Sequence, residues 1–305
     1  MRILIIGNSN IFKKKIYFAL RKFKKIKIEL ASRKKIPEQI KIDKKYRSYD
    51  EAINATKAKI VYISLINSRH FKWALKSLNN NKHVIVDKPL TADFKDAKKL
   101  LNLAKKKKLL LTESIVFHYH NQFKNIISKI NLRKKTKINA KFHIPKLEKK
   151  NYRNFQKYGG GCYQDMSPYA SYLIYIFLKN KNYLLSKHHV KNKNGLVNSF
   201  FIAAKNKNIT LNASFSFNST YQNEIQIFND SKKYSIGYAF SPPVNKPLTV
   251  EIFDFIKKKK YKVNFIKQNI FHAYFKEIFK LIRAKKYHNF YNEIEDIAKI
   301  KEKIS

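Results

Sequence analysis

The run Ile60-Val61-Tyr62-Ile63-Ser64-Leu65 leads into Phe71, Ala74, Leu75 and Leu78, and then into His83-Val84-Ile85-Val86-Asp87-Lys88-Pro89. The first run is short, continuous and β-branched, the pattern of a strand covered on both faces. The next four apolar residues recur at i, i+3, i+4 and i+7, which is one face of a helix. A second buried-type run then closes at Pro89, where a ladder cannot continue. Strand, helix and strand in this order form a βαβ unit, the connection that parallel strands require.

The same rhythm extends to both sides. Ile3 to Ile6 is an apolar run ending at Gly7, and a helical stretch with Ile11, Ile16, Ala19 and Leu20 follows. Ile26 to Ala31 reads as a second strand. Beyond Pro89, Phe94, Ala97, Leu100, Leu101 and Ala104 repeat the helical stripe, and Leu109 to Leu111 starts another strand. Residues 1–116 are therefore predicted to form an α/β, Rossmann-type doubly wound parallel sheet. Residues 117–305 are read as an α+β domain with a large, mostly antiparallel open sheet. Helices are predicted over about 122–130, 163–178, 268–284 and 290–303. Between 186 and 265 the period is two: Ile209, Leu211, Ala213, Phe215 and Phe217 alternate with polar residues.

Composition narrows the class. The chain has 305 residues, 44% of them hydrophobic, with 23 Phe and 19 Tyr, enough for substantial cores and unlike a disordered chain. One cysteine, Cys162, excludes an internal disulfide and a Cys-rich zinc site. No apolar stretch approaches a membrane span, so a cytoplasmic protein without membrane association is expected. Lys and Arg number 66 against 20 acids. The cations are overwhelmingly lysine and dispersed, and Arg, which makes bidentate phosphate contacts, is scarce. Nucleic-acid binding is therefore not expected; attraction of an anionic small substrate is.

Ligands of open parallel sheets bind at the carboxyl ends of the strands. The first such turn is Gly7-Asn8-Ser9-Asn10-Ile11-Phe12, where a dinucleotide fingerprint wants glycine at the first, third and sixth positions. Only Gly7 meets it; Ser9 is small and Phe12 departs outright. An ordinary strand-to-helix turn is the alternative. The second strand ends in Ser32-Arg33-Lys34, which suits a 2′-phosphate better than a ribose diol, or else is a solvated basic loop. Ser64, Leu65, Asn67 and His70 follow the central strand, and Asp87 and Lys88 the next.

These segments resemble the Gfo/Idh/MocA oxidoreductases, the glucose–fructose oxidoreductase and inositol dehydrogenase family. The likeness lies in the turn Ile66-Asn67-Ser68-Arg69-His70, in Asp87-Lys88-Pro89, and in Leu111-Thr112-Glu113 and Tyr119-His120-Asn121-Gln122. It continues in Gly159-Gly160-Gly161-Cys162-Tyr163-Gln164-Asp165-Met166-Ser167-Pro168-Tyr169 and Ala239-Phe240-Ser241-Pro242-Pro243. Ile66 stands for the usual proline, Asp87 for glutamate, Ser167 for a common glycine. Tyr169 stands where many members carry a catalytic histidine, as it does in dihydrodiol dehydrogenase and some keto-sugar reductases.

The resemblance implies hydride transfer between NAD(P) and a carbinol or ketone carbon of a sugar or nucleotide-sugar, in surface-glycan or unusual-sugar biosynthesis. NADP(H) is favoured over NAD(H). Gly7 to Ile11, Ser32 to Lys34, Ser64, Leu65, Asn67, His70, Asp87 and Lys88 are the implied cofactor residues. Lys88, Tyr169 and Asp165 are the implied catalytic set, with His120 beside them on the substrate. A lysine about 4 Å from the phenol would favour phenolate by roughly 4 kcal/mol at an effective dielectric near 20. Tyr169 as a packing residue and Asp165 as a helix cap are the plain alternatives, and a catalytically inactive binding protein on the same fold is the alternative function. A homodimer or homotetramer through the carboxyl-terminal sheet is expected, and no metal.

Overall fold

The computed structural model describes residues 1–179 and 182–305. Two compact units divide them. The first comprises Met1–Ser114, Lys157–Gly159 and Phe271–Lys299; the second comprises Ile115–Gln156, Gly160–Ile270 and Ile300–Ser305.

In the first unit the strands are β1 (Arg2–Ile6), β2 (Lys27–Ala31), β3 (Lys44–Tyr46), β4 (Ile60–Ile63), β5 (His83–Val86) and β6 (Leu111–Glu113). They form one parallel sheet in the order β3-β2-β1-β4-β5-β6. This is the doubly wound order whose strand-order reversal makes a ligand crevice. The helices that follow the strands are α1 (Tyr17–Leu20), α2 (Tyr49–Ala55), α3 (His70–Asn79) and α4 (Phe94–Lys107). Helix α4 starts where Asp93 accepts a hydrogen bond from the Asp96 N–H at 2.9 Å and stops at Lys108 in the left-handed region. Its stripe Ala97, Leu100, Leu101 and Ala104 is buried, each leucine contributing about 1.5–3 kcal/mol.

The two closing helices, α7 (Ile270–Arg283) and α8 (His288–Lys303), correct the predicted division at 116/117. Most of both belongs to the first unit. Phe275 packs its ring 5.8 Å from Tyr62 of β4, and Tyr291 donates to the Leu109 carbonyl at 2.7 Å. An amphipathic pattern announces a helix and its apolar face, but not which sheet that face covers.

In the second unit, α5 (Asn121–Ile127) and α6 (Cys162–Leu178) accompany an eight-stranded sheet. Its strands are β7 (Thr136–His143), β8 (Leu184–Lys191), β9 (Val197–Lys205), β10 (Ile209–Ser216), β11 (Gln222–Asn229), β12 (Lys232–Gly237), β13 (Leu248–Asp254) and β14 (Lys259–Phe265). The order is β14-β13-β12-β11-β7-β10-β9-β8, antiparallel except for the parallel β7–β10 pair. The period-two reading holds: Ile209, Leu211, Ala213 and Phe215 are buried and the residues between them are not. Helix α6 lies on the apolar face against β9 and β10.

Candidate active site

At the carboxyl edge of the parallel sheet, Gly7 has φ +104°, and a Cβ there would lie 2.2 Å from the Ser64 carbonyl oxygen. Only glycine fits this turn. Ser9 occupies the third fingerprint position without obstructing it, because its hydroxyl lies 2.6 Å from Ser64 Oγ. The same Ser9 oxygen accepts the Phe12 N–H at 3.0 Å, opening the helix as a side-chain cap. Phe12 is fully buried in a π turn over Phe12–Ile16, its ring edge-on to Tyr17, so it lines a core and not the crevice. Asn8 donates to the Lys35 carbonyl at 3.0 Å and leaves a buried Oδ1 without a hydrogen-bond partner. Asn10 is exposed and Ile11 half-buried.

After β2, Ser32 accepts from the Lys34 N–H at 3.0 Å, fixing the loop, while Arg33 and Lys34 are exposed. Arg33 stands 5.6 Å over the Tyr49 ring. The nearest acid of that strand, Glu29, is 1% exposed and engaged by Arg2, Tyr46 and Thr56. No carboxylate at the strand end is therefore left for a ribose diol, and two cations are.

The end of β5 is tied to both neighbours. Asp87 accepts from Tyr62 through Oδ1 and from Ser64 through Oδ2, the latter at 2.7 Å. Burial raises its carboxyl pKa, against the lowering by these two donors. Lys88 follows, half-buried, joined to Pro89 by a cis peptide bond.

Three predicted ligands have other work. His70 is fully buried and bridges the Pro89 carbonyl (2.6 Å from Nδ1) and the Leu65 carbonyl (3.1 Å from Nε2). It braces the two loops that carry Leu65 and Lys88. Asn67 is 6% exposed and donates to the Gly159 carbonyl at 2.9 Å. His120, read as a substrate group, is wholly buried and caps α5, accepting the Gln122 N–H through Nδ1 at 3.2 Å. Burial lowers its pKa to about 4. A polar side chain placed near a helix start in sequence can be a ligand or a cap; here His70 and Asn67 each hold backbone carbonyls, and His120 caps α5 while its buried Nε2 has no hydrogen-bond partner.

In the second unit, Tyr169 is half-buried on α6. Three phenyl rings fix its own: Phe117 at 5.9 Å, Phe142 at 5.4 Å and Phe240 at 5.4 Å. Asp165, one turn earlier, is 5% exposed, and its Oδ1 lies 2.9 Å from Nε of Arg153. Burial opposes the arginine's charge, but Asp165, together with Tyr152 and Tyr169, holds the guanidinium pKa above its usual value. Asp165 does not cap the helix. The glycine triplet explains how Arg153 arrives. A Cβ on Gly160 would stand 2.5 Å from the Arg153 carbonyl oxygen, and Gly161 donates to that same oxygen at 2.8 Å. Arg153 lies in an aperiodic segment that marks no element, and its only signal in the sequence is being one of few arginines in a lysine-rich chain.

A family profile described as "Oxidoreductase family, NAD-binding Rossmann fold" (Gfo/Idh/MocA) matches residues 1–114. Over those residues the chain is similar to that family. The chain is 25% identical over 197 residues to a dTDP-3,4-didehydro-2,6-dideoxy-alpha-D-glucose 3-reductase of Saccharopolyspora spinosa, a match covering 63% of this chain and 59% of the relative. A similar reductase of Actinomadura kijaniata is 24% identical over 197 residues, again 63% and 59%. The match thus spans less than two thirds of these relatives. Among solved structures, the fold is similar to that of KijD10, a 3-ketoreductase from Actinomadura kijaniata in complex with NADP and TDP-benzene. The TM-score is 0.91 at 19% identity, covering 100% of this chain and 96% of that one. UDP-N-acetylglucosamine 3-dehydrogenase from Acidithiobacillus ferrooxidans has TM-score 0.79 at 14% identity, with 100% and 96% covered.

The Gfo/Idh/MocA architecture fits a nicotinamide dinucleotide here: a turn restricted to glycine, a cap that leaves the turn open, an orphaned Asn8 oxygen and a basic second loop. Among the described residues no three His, Cys, Asp or Glu converge as a metal site, and no helix is long and apolar enough to cross a membrane.

Proposed function

We propose that this protein is an NADP(H)-dependent oxidoreductase that moves a hydride between nicotinamide and a carbinol or ketone carbon of a nucleotide-linked sugar, in the making of surface glycans or unusual sugars. The observation that carries the reading is the carboxyl edge of the parallel sheet, where the Gly7 turn and the Asp87-Lys88 loop are joined through Ser9 and Ser64. Similarity to reductases of dTDP-linked keto sugars supports the substrate class, and the large excess of cations suits a diphosphate.

Nicotinamide, when bound, supplies or accepts the hydride. Tyr169 holds the proton at its phenol oxygen, giving it to the substrate oxygen in reduction and taking it in oxidation. The three phenyl rings around Tyr169 restrict its swing, so the proton is offered from one direction. The Lys88 ammonium is the cation assigned to the substrate oxygen. Asp165, paired with Arg153, orients substrate hydroxyls. Arg33 and Lys34 read the 2′-phosphate. The test is turnover of NADPH with a panel of nucleotide-linked 3-keto sugars: activity that Lys88→Met abolishes supports the reading, and a wild-type protein that binds no nicotinamide nucleotide removes it.

A second copy of the chain is proposed to cover the open face of the eight-stranded sheet. A furrow of about 210 Å³ runs there, lined by Asn139, Lys141, Asn212, Ser214, Glu224 and Gln226 among others. In a chain with 66 basic and 20 acidic residues, the centre of this face sets one lysine, Lys141, in register with one glutamate, Glu224. At the centre of the face these opposite charges offset one another, which lessens repulsion between two like-charged copies there. Sedimentation should give a dimer or tetramer that Asn212→Lys dissociates; a monomeric wild type contradicts the assignment.

A further inference from the structure

The hydroxyls at the sheet edge admit one direction of donation. Asp87 is acceptor-only as a carboxylate, so Ser64 Oγ–H points to Oδ2 at 2.7 Å. Ser64 oxygen is then the acceptor in its 2.6 Å contact with Ser9, and Ser9 is the donor. Ser9 in turn accepts the Phe12 N–H at 3.0 Å, in the first turn of the nucleotide-side helix. On the other carboxylate oxygen, Tyr62 gives its only proton to Asp87, with Ser114 Oγ 3.0 Å from the phenol oxygen. Every proton in the chain points toward Asp87.

The chain also crosses strands. Ser9 follows β1, Ser64 follows β4 and Asp87 follows β5, three neighbours in the sheet. The backbone ladder reaches the same points: Ser64 N–H donates to the Ile6 carbonyl at 2.8 Å and Asp87 N–H to the Ile63 carbonyl at 2.9 Å. Side chains thus continue the sheet one step beyond its last backbone bonds. Ser64 is 1% exposed, so water does not replace a missing link.

We infer that Ser9 and Ser64 are positioning residues: a polarised Ser9–Ser64–Asp87 chain makes the nucleotide turn and the Lys88 loop one mechanical unit. The hydroxyl of Ser9 is a strut and not a phosphate ligand. This rests on the proposed reading of the Gly7 turn as the cofactor turn and of Lys88 as catalytic.

The test is a double-mutant cycle of Ser9→Ala, Ser64→Ala and both, read in three ways: urea unfolding of the protein without cofactor, NADPH affinity by fluorescence titration, and turnover at saturating NADPH. Each single variant is expected to weaken NADPH binding and to lower kcat about tenfold, the scale of one lost buried hydrogen bond. The double variant should be no worse than the poorer single variant by more than about twofold, in affinity as in unfolding midpoint. Effects that multiply to about a hundredfold overturn the inference, as does Ser9→Ala with wild-type affinity and turnover. Should the wild type bind no nicotinamide nucleotide, the proposed function fails, while the urea cycle still decides whether the three side chains act together: additive midpoint losses there overturn the chain.

Discussion

Arg153 is paired with Asp165 at 2.9 Å, and Asp165 sits one helical turn before Tyr169 on α6. An ionised carboxylate that is 5% exposed needs its counter-charge. Breaking such a pair from one side costs about 3–5 kcal/mol when fully buried. Arg153 is 29% exposed in its side chain, so water returns part of that, and Arg153→Met should cost about 2–3 kcal/mol in urea unfolding. Arg153→Met with Asp165→Leu should recover most of it. Wild-type stability in the single variant would show the pair is not holding Asp165.

The glycine triplet predicts an ordered series. Gly160→Ala drives a Cβ into the carbonyl oxygens of Arg153 and Phe155, 2.5 and 2.7 Å away, and should cost at least about 2 kcal/mol. Gly161→Ala has room but a φ of +96°, and should cost about 1–2 kcal/mol. Gly237→Ala has neither obstacle and should lie within about 0.5 kcal/mol of wild type. Thermal or urea unfolding of the three proteins checks the order.

Cofactor choice follows from the loop after β2. Replacing Arg33 and Lys34 by Ala should weaken NADPH binding at least about tenfold and leave NADH within about threefold, since each cation's contact to phosphate contributes on the order of 1–3 kcal/mol. Equal losses for both nucleotides in fluorescence titration would show that these residues do not read the 2′-phosphate.

Glu29 gives a pH dependence. Burial alone would raise its pKa, but Thr56, Arg2 and Tyr46 together lower it below the ordinary glutamate value. A carboxyl whose folded pKa is depressed adds stability above its unfolded pKa and loses it as pH falls through the folded one. Unfolding free energy should therefore drop on acidification below about pH 4.5, and the drop should be shallower in Glu29→Gln. Identical pH profiles for the two proteins would exclude the linkage.

Much of the architecture was legible because burial imposes short periods. Ile60–Ile63 had to be a strand covered on both faces, and Ile209–Phe215 one with a single buried face. What periodicity does not encode was missed. Strand β3 is only Lys44–Tyr46, with no apolar run to announce it. The parallel β7–β10 pair joins strands far apart in sequence. At the site, Gly7 was readable from its turn, whereas the direction of the Ser9 hydroxyl depends on Ser64 across the sheet. Arg153 reaches Asp165 only because a glycine loop lets two backbones touch. His70, Asn67 and His120 look like ligands by residue type, and only their partners reveal braces and a cap.

Lys88 and Tyr169 are proposed to handle one proton in a nicotinamide-dependent reaction. Its most direct measurement is the pH profile of NADPH oxidation with a nucleotide-linked 3-keto sugar, for wild type, Lys88→Met and Tyr169→Phe. The account predicts a basic limb in the wild type set by the phenol, at least about a hundredfold loss in each variant, and no basic limb in Tyr169→Phe. Turnover within about threefold of wild type in both variants, with the limb unchanged, would contradict it.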